Sequence, residues 1–157
     1  MPKHTLTFRL VTGSRISTRR AIGFLEGHTE LDAGISFDDL KDNAKYTVRS
    51  RFDLWLDEGI CDKYFHGFKN DSDLRFRDCF VFKWKKHRWY GFLCNPRPKS
   101  NPAYLLCVLA IHAMKNEHDT DREELKRVWQ WQGHLGGHMA IASEYPEYFD
   151  WSNKWKN

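Results

Sequence analysis

Apolar and polar residues alternate along "HTLTFRLVT", residues 4–12, where Leu6, Phe8 and Leu10 take every second place. A period of two sends successive side chains to opposite faces, so this stretch predicts a first β-strand. "RAIGFLEGH", residues 20–28, predicts a short helix. From Ser36 the period lengthens. Phe37, Leu40, Ala44, Val48, Phe52 and Trp55 recur at helical spacing, and Gly59 offers a terminator. This predicts a helix over 37–58 with a weak point at Tyr46–Thr47, where β-branching lowers propensity. "DKYFHGFKNDSD" is rich in turn formers and predicts a connection.

From Leu74 the period returns to two. "LRFRDCFVFKW" carries Phe76, Phe80, Phe82 and Trp84 on alternate positions, "KKHR" reads as a polar turn, and "WYGFLCN" returns, which together predict a hairpin. "PRPKSNP" is a proline-rich loop, and "AYLLCVLAIHA" is a continuous apolar run, the pattern of a central strand buried on both faces. Thr120 and Glu123 form a capping-box pattern. Leu125, Val128 and Trp129 then supply the apolar face of a helix to about Gln132, and "GHLGGH" ends it. An aromatic-rich tail follows, with room for one more short helix.

The predicted architecture is α+β: a small, mostly antiparallel twisted sheet with helices packed on one side, and an N-terminal extension. Residues 1–157 read as a single domain. Within it, 1–60 form an N-terminal strand and helical part, 74–132 a sheet-and-helix core, and 133–157 the tail.

The chain has 157 residues, 41% of them hydrophobic and 15% aromatic, which supports a substantial core and excludes a disordered chain. No apolar run approaches the roughly 18 residues of a membrane helix. The N-terminus lacks a charged-then-apolar leader pattern, so a soluble cytoplasmic protein with no membrane partner is expected. Cys61, Cys79, Cys94 and Cys107 form no CxxC pair, which makes small core residues the expectation.

Charge sharpens this picture. Residues 75–99 carry eight lysines and arginines against Asp78 alone, and residues 1–20 carry five with no acid, while residues 21–74 are acidic. The net charge is only +4, so the cations are concentrated into an anion-binding face. Guanidinium binds phosphate bidentately, which makes Arg75, Arg77 and Arg88 phosphate candidates, with Lys85 and Lys86 beside them in the turn. Trp84, Trp89 and Tyr90 interleave with these charges and could stack on bases. His112 and Lys115 leave the end of the apolar run, where with Tyr90 they could transfer protons. Each residue also has an ordinary role: a histidine at the edge of the core, lysines and arginines on a solvated face, aromatics in the core. Gly13-Ser14 is a weak phosphate cradle. His134 and His138 could share a metal only on a helix, and Gly136-Gly137 argues against one, so no metal or cofactor is expected.

Leu74-Arg75-Phe76-Arg77, Arg88-Trp89-Tyr90-Gly91, Leu105-Leu106 through His112-Ala113-Met114-Lys115, and Thr120-Asp121-Arg122-Glu123 together resemble the RelE/ParE toxin superfamily, above all its HigB-like branch. The similar stretch covers about a third of the chain. Asn116 stands where a second lysine is usual and Asp121 where proline is usual. The resemblance implies a RelE-like fold and a metal-independent endoribonuclease that cuts messenger RNA on the ribosome and pairs with a cognate antitoxin. It implies catalytic roles for His112, Lys115, Tyr90 and Arg88, and RNA binding by Arg75, Arg77, Lys85, Lys86 and Trp89. Two other readings remain open. One is a non-catalytic protein of the same fold, either a gyrase-type poison or a protein-interaction module. The other is a nucleic-acid-binding accessory protein.

Overall fold

A computed structural model of the chain describes residues 5–11, 20–59, 63–68, 71–94, 105–115 and 122–144, with side chains as far as Ile141. The described residues form an α+β fold. Its strands are β1 (Thr7–Leu10), β2 (Arg20–Glu26), β3 (Phe65–Gly67), β4 (Cys79–Trp84), β5 (His87–Cys94) and β6 (Leu105–Met114). Its helices are α1 (Ala33–Asp38), α2 (Asp42–Glu58), α3 (Arg122–Gln132) and α4 (Leu135–Glu144). The strands make one open sheet in the order β1-β2-β6-β5-β4-β3, antiparallel except where β2 runs parallel to β6. The apolar run is thus an interior strand, and β4, β5 and β6 are consecutive antiparallel neighbours, as the pattern predicts.

Helices cover both faces of the sheet, not one. Phe37 of α1 and Val48, Phe52, Trp55 and Leu56 of α2 pack against Ile22, Phe24, Phe80, Phe82, Trp89 and Leu109. Leu125, Val128 and Trp131 of α3 and Ile141 of α4 pack against Leu25, Val81, Tyr90, Phe92 and Val108 on the other side. The reason lies in β4. Phe80 and Phe82 point to one face and Cys79 and Val81 to the other, and all four are buried, so each face requires its own apolar layer.

Several boundaries differ from the predicted ones. "RAIGFLEGH" is not a helix but strand β2, whose residues 21–25 are all buried between β1 and β6. A short run apolar on both sides does not distinguish the two states. The helix predicted over 37–58 breaks at 39–41 rather than at Tyr46–Thr47. The Thr47 hydroxyl bonds to the Asn43 carbonyl one turn back, so α2 continues through it. Gly59 does end α2. Its φ of 84° suits glycine, and its N–H donates to the Trp55 carbonyl. The predicted connection 62–73 contains the short edge strand β3. Residues 74–76 form a 3-10 turn, so the strand starts at Cys79, not Leu74, although Phe76 is in the core as expected. On α3, Trp131 completes the buried stripe and Trp129 is 40% exposed.

Gly136 and Gly137 do not prevent a helix at 135–144. A Cβ at Gly137 would meet Leu25 Cδ2 at 3.3 Å and one at Gly136 would meet Leu6 Cδ1 at 3.2 Å, so the glycines let α4 lie close on the sheet. The capping threonine Thr120, the loop with Gly13-Ser14, and the aromatic residues beyond 144 lie outside the described residues. Among the described residues, no helix is long and apolar enough to cross a membrane. Cys79, Cys94 and Cys107 are buried free thiols, as their sequence context predicts.

Candidate functional site

The end of β6 is built by an irregularity. Tyr90 pairs with Ile111 but Gly91 pairs with Leu109, so Ala110 is an extra residue on β6. Ala110 and Ile111 both enter the α3/α4 side of the core. The alternation then resumes one step out of phase, and His112 turns to the α1/α2 side, paired with Trp89. Glycine at 91 is what permits this. A Cβ there would lie 2.2 Å from the Val108 carbonyl oxygen and 2.9 Å from Leu109 Cα, both backbone atoms of β6.

At this corner His112 meets His87, the first residue of β5. His87 Nδ1 and His112 Nε2 are 2.8 Å apart, so one ring donates the single proton between them and the other accepts it. The His87 ring stacks between Trp84, at 5.4 Å and 22°, and Trp89, at 5.2 Å and 7°. The His112 backbone N–H donates to Asp32 Oδ1 at 2.9 Å, fixing the strand end to the start of α1. Burial lowers both imidazole pKa values. For His87 the nearby Arg88 and Lys85 add to the lowering. For His112 the charge of His87 lowers further, while Asp32 partly opposes. Near pH 7 the pair is therefore held as neutral bases.

The two-residue turn Lys85-Lys86 closes the β4–β5 hairpin, and Lys85 takes the positive φ, 52°, that such turns favour. Both lysines are exposed, and Lys85 Nζ lies 4.8 Å from the centre of the Trp84 ring. Lys115 belongs to the same corner, its backbone N–H donating to the Lys86 carbonyl at 2.7 Å. A groove of about 640 Å³ opens here, with Trp84, Lys85 and His87 on one wall and Lys41, Asn43 and Thr47 on the other.

Of the residues expected in the site, His112, Lys115, Lys85, Lys86 and Trp89 come together. Trp89 does so from inside: it is fully buried and supports the two imidazoles rather than offering a surface to a base. Arg88 and Tyr90 stand on the other face of the sheet from His112. Arg88 is 5% exposed, and its guanidinium donates to the carbonyls of Lys85 and His87 at 2.8 and 2.9 Å. Tyr90 is 1% exposed, in the core beneath α3. Arg75 and Arg77 are at the other end of β4, which at about 3.4 Å per residue is some ~17 Å away. Arg75 is paired with Asp73 at 2.7 Å and packs over Trp129, and the guanidinium holds the Asp73 carboxyl down at about 2. In the N-terminal basic block, Arg9 bonds to Glu26 and Asp38 and Arg20 to the Leu56 carbonyl, so both cations serve the fold.

His87 was missed as a site residue because a histidine in a charged turn reads as solvated. Its signal was present: in a two-residue hairpin turn, Trp84 and His87 must pair directly, with Trp89 next on the same face. His138 is helical and buried, and its Nε2 meets the Gln132 carbonyl, while His134 packs on Trp131. Among the described residues, no three His, Cys, Asp or Glu side chains are grouped to hold a metal ion.

Fold and site together define an α+β domain with a coupled histidine pair beside a cationic turn. No protein-family model, curated protein or solved structure matches the chain.

Proposed function

We propose that the chain is a toxin of the RelE/HigB kind, a metal-independent endoribonuclease that cleaves messenger RNA on the ribosome and is neutralised by a cognate antitoxin. The observation that carries this reading is the hydrogen-bonded histidine pair at the end of β6, beside the Lys85-Lys86 turn, where burial favours the neutral imidazoles. RNA cleaves itself when a base removes the 2′-hydroxyl proton. The 2′-oxygen then bonds to phosphorus, the bond from phosphorus to the 5′-oxygen breaks, and water protonates the departing oxygen. A neutral imidazole pair can accept the proton, and ammonium groups can offset the charge that builds on the phosphorane. The reaction leaves a cyclic phosphate and requires no further reactant.

A non-catalytic binder of the same fold is the second reading. The burial of Arg88 and Tyr90 favours it, since two groups expected in catalysis are away from the surface. Induced expression followed by primer extension on cellular transcripts separates the two. Growth arrest with discrete new 5′ ends supports the nuclease, and arrest without them supports the binder. Unimpaired growth with an unchanged transcript pattern overturns the toxin reading.

A further inference from the structure

The groove at the turn carries more than a location. Resting on the reading above, we propose that it seats a phosphodiester of single-stranded RNA, with His87 facing the substrate and His112 acting behind it as a positioning residue. Three observations converge. First, the two rings are not equivalent. His87 lines the groove and His112 does not, and His87 spends Nδ1 on its partner, leaving Nε2 as its other ring nitrogen. Second, His112 is anchored from behind, by Asp32 through its backbone and by Trp89 through its ring. A ring held in this way fixes the tautomer and orientation of the next one, as an orienting group does for a catalytic base. Third, the two walls carry opposed lysines, Lys85 from the hairpin and Lys41 from the α1–α2 junction, with Asn43 and Thr47 as neutral hydrogen-bonding groups. Among the described residues Asp39 is the one carboxylate on the lining, and it selects against a ligand with anionic groups along its whole length there. One phosphodiester between two lysines, followed by a sugar toward Asn43 and Thr47, suits this arrangement.

Binding and cleavage test this separately. A 2′-O-methyl oligoribonucleotide cannot be cleaved by attack of its own 2′-oxygen, so it reports the groove alone. It is expected to shift the His87 Nε2 signal in ¹⁵N NMR. Replacing both Lys41 and Lys85 by glutamate is expected to weaken binding by about tenfold or more and to lower the salt slope by about one, for the single phosphate they share. With a natural messenger RNA and ribosomes, His87→Gln is expected to abolish cleavage at every pH. His112→Gln, which keeps a hydrogen-bonding partner for His87, is expected to retain part of the activity with a displaced acid limb of the pH–rate profile. Oligonucleotide binding that leaves the His87 signal unmoved, that persists in the double glutamate variant, or that is absent altogether overturns the proposal. So does a His87→Gln enzyme that outperforms His112→Gln. Groove binding without cleavage of natural RNA in the presence of ribosomes refutes the nuclease reading and leaves the groove assignment supported.

Discussion

Gly91→Ala is the most informative single perturbation of the site's scaffold, because it touches no candidate catalytic group. The added Cβ would lie 2.2 Å from the Val108 carbonyl oxygen, 2.8 Å from its carbonyl carbon and 2.9 Å from Leu109 Cα. All three belong to the backbone of an interior strand, so no side-chain rotation relieves the contact. Strand β6 must move by roughly 1 Å relative to β5, or the extra residue must shift. Overpacking of this kind costs about 1–3 kcal/mol, and contact with backbone places it at the upper end, ~3 kcal/mol. For a chain of 157 residues that corresponds to a fall in Tm of about 6–12 °C. If the bulge shifts, the phase of the strand end shifts with it, and His112 is carried off the α1/α2 side. The expected result is a lower melting temperature by circular dichroism together with loss of the coupled histidine signals in long-range ¹⁵N–¹H NMR. A variant that melts with the parent and keeps the His87–His112 coupling would refute the argument that Gly91 builds the site.

Three further outcomes are expected. The pKa values of both site histidines are lowered in the folded chain, so the unfolded chain binds more protons at mildly acidic pH. Stability is therefore fully present above the unfolded histidine value of about 6.5 and is lost as pH falls below it, and thermal melts at pH 7.5 and 5.5 should show a smaller difference in His112→Gln than in the parent. Arg88→Ala should lower stability by about 2–3 kcal/mol, because a buried guanidinium satisfies the Lys85 and His87 carbonyls, and chemical denaturation should show this whether or not RNA is bound. Arg75→Ala should leave RNA binding within a factor of about two, since Arg75 is paired with Asp73 at the far end of β4, and a filter-binding titration measures this directly.

Much of the fold can be read from single elements of the sequence. The run 103–111 reads as an interior strand because it is continuously apolar, and the hairpin reads from the alternation over 74–95 around a charged turn, although its first strand starts only at Cys79. What escapes such reading is relational. Nothing local tells whether the second apolar layer is a helix pair on the same face or on the opposite one, and β2 resembles a short helix until its two neighbouring strands are known. The site shows the same division. His112 and Lys115 are identifiable at a strand end, and the turn lysines are adjacent to them. The placement of Arg88 and Tyr90 on the far face, however, depends on one extra residue in β6, which changes the phase of one strand relative to its partner. Arg75 reads as part of the alternation that starts at Leu74, yet a 3-10 turn removes it from the sheet and β4 begins four residues later.

Whether the histidine pair at the end of β6 cleaves RNA is read from cleavage of a defined messenger RNA by the purified protein with ribosomes, comparing the parent with His112→Ala at matched fold. Discrete fragments ending in a cyclic phosphate are expected from the parent. A loss of roughly 100-fold in rate is expected for His112→Ala, in which His87 loses the ring that orients it, while the melting temperature stays close to that of the parent. Fragments produced equally by His112→Ala, or a loss of cleavage that merely tracks unfolding, would contradict the assignment of cleavage to the pair.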